Sequence, residues 1–282
     1  MTGETIDKAP QGLIPCNAVA SATMAGELAH HYGDRVHLLD NPFLRSVLAR
    51  ISSSEGSLPE VLNLVRVSYE MLLGAAVNEF PCVDVEMPTR MAEAHPKEGV
   101  YRGSVLDPTT QVVICDVVRA GIVPSQVCFE RLLSVLPDAS LRLDHLNMSR
   151  VSDESGKVTG VDLSGSKIGG TIEGSILLIP DPMGATGSTI LRAVEHYTES
   201  YGKPRMIITM PMIATPEYLR ALLDGIEGIV IYAGRLDRGL SSPEVLATLP
   251  GAHWDEECGL NERSYIVPGA GGMGEVLNNS WC

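Results

Sequence analysis

The residues best equipped for chemistry lie in one stretch, SILLIPDPMGATGSTILRAVEHY. A buried strand ends at Asp181, a short loop carries Gly184 and Gly187, and a helix opens near Ser188. Such a junction gathers unpaired amide N–H groups and the positive end of a helix around one point, where a phosphate can sit. Thr186, Ser188 and Thr189 add hydroxyl donors, and the two glycines let the backbone come close to a ligand. The loop has no lysine of the Walker type, G-x-x-x-x-G-K-[ST], and no G-x-G-x-x-G dinucleotide fingerprint. An ordinary strand-to-helix turn, using Gly and Ser for capping, remains a second reading of these residues alone.

Such a loop needs a sheet behind it, and the flanking pattern supplies one. Gln111–Val118 is an apolar, β-branched run that Arg119-Ala-Gly121 breaks, and residues 124–136 are amphipathic. Leu141–Met148 alternates as a strand does, and 150–174, rich in Ser, Gly and Asp, reads as a hairpin or flap. Ser175–Pro180 is a buried strand and 188–200 a helix. A further strand over 205–210, a helix over 216–224 and a strand over 228–233 follow. Strands alternating with helices predict right-handed crossovers and an α/β fold, a mostly parallel sheet covered on both faces. Ligands then bind beyond the carboxyl ends of the strands, where this loop falls. Upstream, 57–80 predicts a long helix, with Ser57 and Glu60 at capping-box spacing and Val61, Leu62, Val65, Tyr69, Leu72 and Leu73 on one stripe.

The 282 residues carry 35 Asp plus Glu against 21 Lys plus Arg, a net charge of −14. That balance argues against a nucleic-acid or anionic-membrane partner, since phosphate backbones need a basic face. A small anionic substrate would instead need local compensation from amides, a few arginines or a divalent cation. The six cysteines are scattered without zinc spacing, and Cys115 reads as a buried thiol. His30–His31 lacks a second ligand cluster. MTGETIDKAP has neither a basic nor an apolar leader region, and no apolar run nears the ~20 residues of a membrane span, so the expectation is cytoplasmic.

Asp181-Pro-Met-Gly-Ala-Thr-Gly-Ser-Thr189 resembles the 5-phosphoribosyl-1-diphosphate (PRPP) loop of uracil phosphoribosyltransferases, which usually reads D-P-M-L-A-T-G-G-S. Three further stretches agree in order. Asn41-Pro-Phe-Leu-Arg-Ser-Val-Leu-Ala-Arg50 is similar to the family's amino-terminal region, and Val118-Arg119-Ala-Gly121 to its L-R-A-G segment. Gly259-Leu-Asn-Glu-Arg-Ser-Tyr-Ile-Val-Pro-Gly269 resembles its uracil-recognition segment, G-L-N-x-x-x-Y-I-V-P-G. The likeness runs over about 37–277. It implies a phosphoribosyltransferase domain at 37–282 behind an extension at 1–36, with a β-hairpin flap and a small carboxy-terminal hood over the base. The implied reaction displaces pyrophosphate from PRPP by N1 of uracil, giving UMP, with Mg²⁺ bound with PRPP and a homodimer or higher oligomer as the working form. The implied PRPP contacts are Arg119, Arg150, Asp181, Pro182, Met183, Gly184, Ala185, Thr186, Gly187, Ser188 and Thr189. The implied uracil contacts are Tyr232, Ile266, Gly271, Gly272 and Met273.

The chain departs from the pattern at three places. Where the family's last loop reads G-L-G-D-A-G-D, this chain has Gly269-Ala-Gly-Gly-Met-Gly-Glu275, so Gly272 replaces an aspartate that the family places beside PRPP. Gly184 replaces the leucine of the PRPP loop, and the expected effect is flexibility. Residues 241–258 (SSPEVLATLPGAHWDEEC) are inserted where they can cover the base site. These changes keep open a different pyrimidine-like or aromatic acceptor, or a non-catalytic regulator that binds PRPP or a nucleotide.

Overall fold

The structure, a computed structural model, describes residues 26–152 and 158–281. Of the extension expected at 1–36, residues 1–25, and with them the leader expectation, lie outside the described residues. In chain order the elements are β1 (Val36–Leu38), α1 (Pro42–Ile51), α2 (Leu58–Ala76), β2 (Cys82–Pro88), β3 (Val100–Leu106), β4 (Val112–Val118), α3 (Ile122–Leu132), β5 (Leu141–Ser152), β6 (Val158–Lys167), β7 (Ile176–Ile179), β8 (Met183–Gly184), α4 (Ser188–Ser200), β9 (Met206–Thr209), β10 (Ile213–Ala214), α5 (Pro216–Gly225), β11 (Val230–Ala233), β12 (Arg235–Leu236), α6 (Pro243–Leu246) and α7 (Met273–Asn278). They fall into two compact units. Among the described residues the smaller unit is Asn78–Asp107, an antiparallel hairpin of β2 and β3 paired from Cys82↔Leu106 to Pro88↔Val100. Cys82 is disulfide-bonded, while Cys115, Cys128 and Cys258 are free thiols.

The larger unit carries a seven-stranded sheet in the order β1-β11-β9-β7-β4-β5-β6. Every neighbouring pair is parallel except β5–β6, which is antiparallel. The apolar runs become central strands because both faces are covered. On one face Val113, Cys115, Leu177 and Ile179 pack with Ile190 and Tyr197 of α4 and with Leu219 and Leu222 of α5. On the other, α3 lies against β4 and α2 against α1 and α3. The stripe expected for α2 is buried at Val61, Val65, Tyr69, Leu72 and Leu73. The capping box is not formed: the Ser57 side chain makes no cap hydrogen bond, and Glu60 pairs with Arg50 instead.

A second, three-stranded parallel sheet, β12-β10-β8, unites the segments that leave β7, β9 and β11. It fixes the backbone beyond the carboxyl ends of three central strands. Nothing in the apolar patterning foretold it, because two-residue strands carry no period.

Candidate functional site

The loop after β7 is held through its carbonyls. Pro182 O accepts from Met212 N at 3.1 Å and Gly184 O from Thr215 N at 3.0 Å, and Ala185 O accepts from the Thr215 hydroxyl at 2.7 Å. With its carbonyls turned toward β10, the loop leads into α4 through Gly187, the N-cap residue, at φ +79°. Gly187 offers no capping oxygen and α4 has no side-chain cap. The first-turn amides of a helix also have no intrahelical acceptor, an arrangement that suits an anion; here Ser188 N donates to Thr186 Oγ1 at 3.4 Å. The hydroxyls of Thr186 and Ser188 lie 2.8 Å apart beside it.

Gly187 is required twice over, by its left-handed backbone and by crowding. A Cβ there would stand 3.2 Å from Ala221 Cβ and 3.2 Å from Leu222 Cδ2. Gly187→Ala should therefore lower stability by about 1–2 kcal/mol, measurable by urea denaturation. Unchanged stability would mean that the loop does not keep this conformation. Gly184 has a different reason. A Cβ on it would lie 3.0 Å from the Tyr218 ring and 3.1 Å from Pro211 Cβ. The residue is buried and paired in β8. The expectation of flexibility at Gly184 is thus corrected: Tyr218 occupies the space that a leucine side chain would take.

Arg119 follows β4 directly. A tight turn carries it, since a Cβ on Gly121 would meet Val117 N and O at 2.8 Å. The peptide bonds Val118–Arg119 and Val267–Pro268 are cis. Arg119 Nη1 donates to Ser280 O at 3.0 Å and to Ser280 Oγ at 3.2 Å, and its Nη2 is 3.7 Å from Glu275 Oε1. The segment 259–275 is tied down from α5 and β12. Glu217 accepts from Gly259 N at 2.9 Å. The Asp237 carboxylate, chelated by Arg235, accepts from Gly269 N at 2.7 Å.

These three pieces meet in one cleft of about 600 Å³. Of the residues expected to bind, Arg119, Asp181, Met183, Ala185 and Thr189 line it, together with Ile266, Gly271, Gly272 and Met273. Pro182, Gly184, Thr186, Gly187 and Ser188 shape the loop without lining the cleft. Arg150 belongs to β5, and its side chain lies outside the described residues. Tyr232 is placed elsewhere: it is fully buried on β11, its ring stacked on His37 at 4.3 Å, and it does not line the cleft. The insertion is also elsewhere. Trp254 donates to Pro216 O at 3.1 Å, and Glu257 joins Arg238 (2.7 Å), Gly251 N (2.8 Å) and Tyr32. No residue of 241–258 lines the cleft.

Several lining residues escaped the reading of the sequence. Asn147, Met148 and Ser149 of β5 and Val161 of β6 form one wall. Ser264, Tyr265 and Glu275 stand inside motifs already recognised, and that was the available signal. The charged groups of the lining are Arg119, Asp181 and Glu275. Two buried phenols lie near Asp181. Burial pushes both Tyr69 and Tyr218 well above the usual tyrosine range and the Asp181 charge adds to it, so both stay protonated. Each finds a partner as a neutral hydroxyl, Tyr69 donating to Met210 O at 3.0 Å and Tyr218 lying 2.8 Å from Thr209 Oγ1.

A mostly parallel sheet carries the helix-opening loop and the arginine turn at the carboxyl ends of adjacent strands, the placement expected of a phosphoribosyltransferase. The uracil phosphoribosyltransferase model matches residues 38–253. The chain belongs to the uracil phosphoribosyltransferase family. It is 25% identical over 243 residues to the uracil phosphoribosyltransferase of Thermococcus gammatolerans, covering 84% of this chain and 89% of that protein. It is 26% identical over 236 residues to the chloroplastic enzyme of Arabidopsis thaliana, covering 83% and 68%. Among solved structures, the AQ2163 protein from Aquifex aeolicus superposes with a TM-score of 0.64 at 21% identity, over 86% of this chain and 97% of that one.

Proposed function

We propose that this enzyme transfers the phosphoribosyl group of PRPP to N1 of uracil, releasing pyrophosphate and forming UMP. One observation carries the reading: Thr189 in the first turn of α4, Asp181 of the loop before it, Arg119, and residues 264–266 and 271–275 line a single cleft. The α4 amides and the hydroxyls of Thr186, Ser188 and Thr189 receive the 5-phosphate, Arg119 the diphosphate, and Asp181 the ribose. Arg150 is a second candidate for the diphosphate. Ile266 with Gly271 and Met273 offers an apolar wall and backbone donors and acceptors for the base edge.

The reacting carbon gains oxocarbenium character, so the protein's work is positioning and stabilising the departing diphosphate. Among the described residues no group of three or more His, Cys, Asp or Glu is arranged to hold a metal. Mg²⁺ would enter with PRPP, a mode in which one or two carboxylates suffice. Asp181 fits that limited role. We also assign a homodimer or higher oligomer, which light scattering would test.

The direct test offers purified protein PRPP, Mg²⁺ and uracil and follows UMP and pyrophosphate. UMP formation is the expected result. Pyrophosphate released only with another pyrimidine-like or aromatic acceptor would transfer the assignment to that acceptor. Saturable PRPP binding with no product from any acceptor would make the protein a regulator.

A further inference from the structure

Residue 272 is a glycine without a backbone reason. Its φ of −80° and ψ of 90° are open to L-residues. What a side chain would meet there is a neighbour: a Cβ on Gly272 would lie 2.3 Å from Glu275 Oε2 and 3.1 Å from Glu275 Cδ. The carboxylate of Glu275 thus stands in the volume that a side chain at 272 would fill. It is anchored at its own backbone, where Glu275 N donates to Gly272 O at 3.1 Å and Glu275 O accepts from Ser280 N at 3.2 Å. Its other oxygen is 3.7 Å from Arg119 Nη2, and the residue lines the cleft. Tyr218 fills the space beside Gly184 in the same manner.

We propose that Glu275 is a specificity-determining residue, its carboxylate accepting hydrogen bonds from the vicinal hydroxyls of a ribosyl ligand whose diphosphate lies on Arg119. This inference rests on the PRPP reading above. An ionised carboxylate only accepts hydrogen bonds, so it suits sugar hydroxyls and repels phosphate oxygens, whereas a guanidinium only donates and suits the diphosphate. PRPP presents the two kinds of group side by side, diphosphate on C1 and hydroxyls on C2 and C3. The side-by-side Glu275 and Arg119 match that alternation.

The test compares Mg²⁺·PRPP, which has hydroxyls, with Mg²⁺·pyrophosphate, which has none, by calorimetric titration of the whole protein. Glu275→Ala should weaken PRPP about tenfold to a hundredfold, the worth of one or two hydrogen bonds to a charged group. Pyrophosphate should bind that variant as tightly as before or more tightly. Glu275→Gln, of the same shape, should fall between. Gly272→Asp in the Glu275→Ala background should recover most of the loss, while Gly272→Asp alone should bind PRPP worse than the unaltered protein. Equal losses for PRPP and pyrophosphate in both position-275 variants would make Glu275 a mere support for Arg119 and overturn the proposal, as would unchanged PRPP affinity. If the unaltered protein binds no PRPP, the functional reading falls first.

Discussion

Arg119→Ala should lower kcat/KM for PRPP about 10²- to 10³-fold, the scale seen when one preorganised charge-stabilising donor is removed from an active site. Arg119 sits where β4 ends, and that strand is buried from Val112 to Val117, so the side chain starts from a rigid base. The guanidinium offers a planar fork to two diphosphate oxygens at once. Arg119→Lys keeps the charge and loses the fork, and should recover only part of the activity. The side chain is about one-third exposed and holds the 280 region rather than the core, so the alanine variant should melt close to the unaltered protein. Pyrophosphate affinity, measured by calorimetry, separates binding from chemistry. An alanine variant with unchanged affinity for both PRPP and pyrophosphate would remove Arg119 from the site.

The largest stability effect is expected at Asp144. This carboxylate is 1% exposed and takes both arms of Arg142, at 2.9 and 3.1 Å, with Gly169 N at 2.9 Å and the Tyr197 hydroxyl at 3.1 Å. Arg142 in turn donates to Thr171 O and Gly170 O, each at 3.0 Å. One cluster thus ties β5 to the chain leaving β6 and to α4, whose other end opens onto the cleft. Asp144→Ala would leave Arg142 without its counter-charge and cost about 3–5 kcal/mol. For a unit of this size that is a fall in Tm of roughly 6–20 °C, read by calorimetry. A Tm within about a degree of the unaltered protein would show that the cluster relaxes or fills with water. Exposed pairs such as Arg45–Asp40 and Arg102–Glu86 should each contribute below about 1 kcal/mol.

The sheet was legible because period and composition are local. ILLI at β7 and VVICDVV at β4 are continuous apolar runs, and such runs fold as central parallel strands when helices cover both faces. The strand–loop–helix of the 181–189 stretch was equally legible, since its glycines and hydroxyls mark the junction. Other elements gave weak signals. β1 is three residues long, and β2 and β3 mix charged with apolar positions because they are largely half-buried or exposed. The six-residue α7 follows a run of glycines that reads as loop.

By itself, then, the amino-acid order determined the alternation of strands and helices, the position of the phosphate-type loop and the arginine turn, and through them the family. Tertiary structure alone decided what stands beside each departure from the family pattern, and beside Tyr232. Tyr218 and Pro211 crowd Gly184, the Glu275 carboxylate occupies the side-chain space of Gly272, and Tyr232 turns to His37. The insertion folds onto Tyr32 and the start of α5, where Glu257 neutralises Arg238. The physical reason is common to all four. A glycine's missing side chain, an aromatic ring or an extra loop has no local period, and its meaning depends on which distant group fills the neighbouring volume.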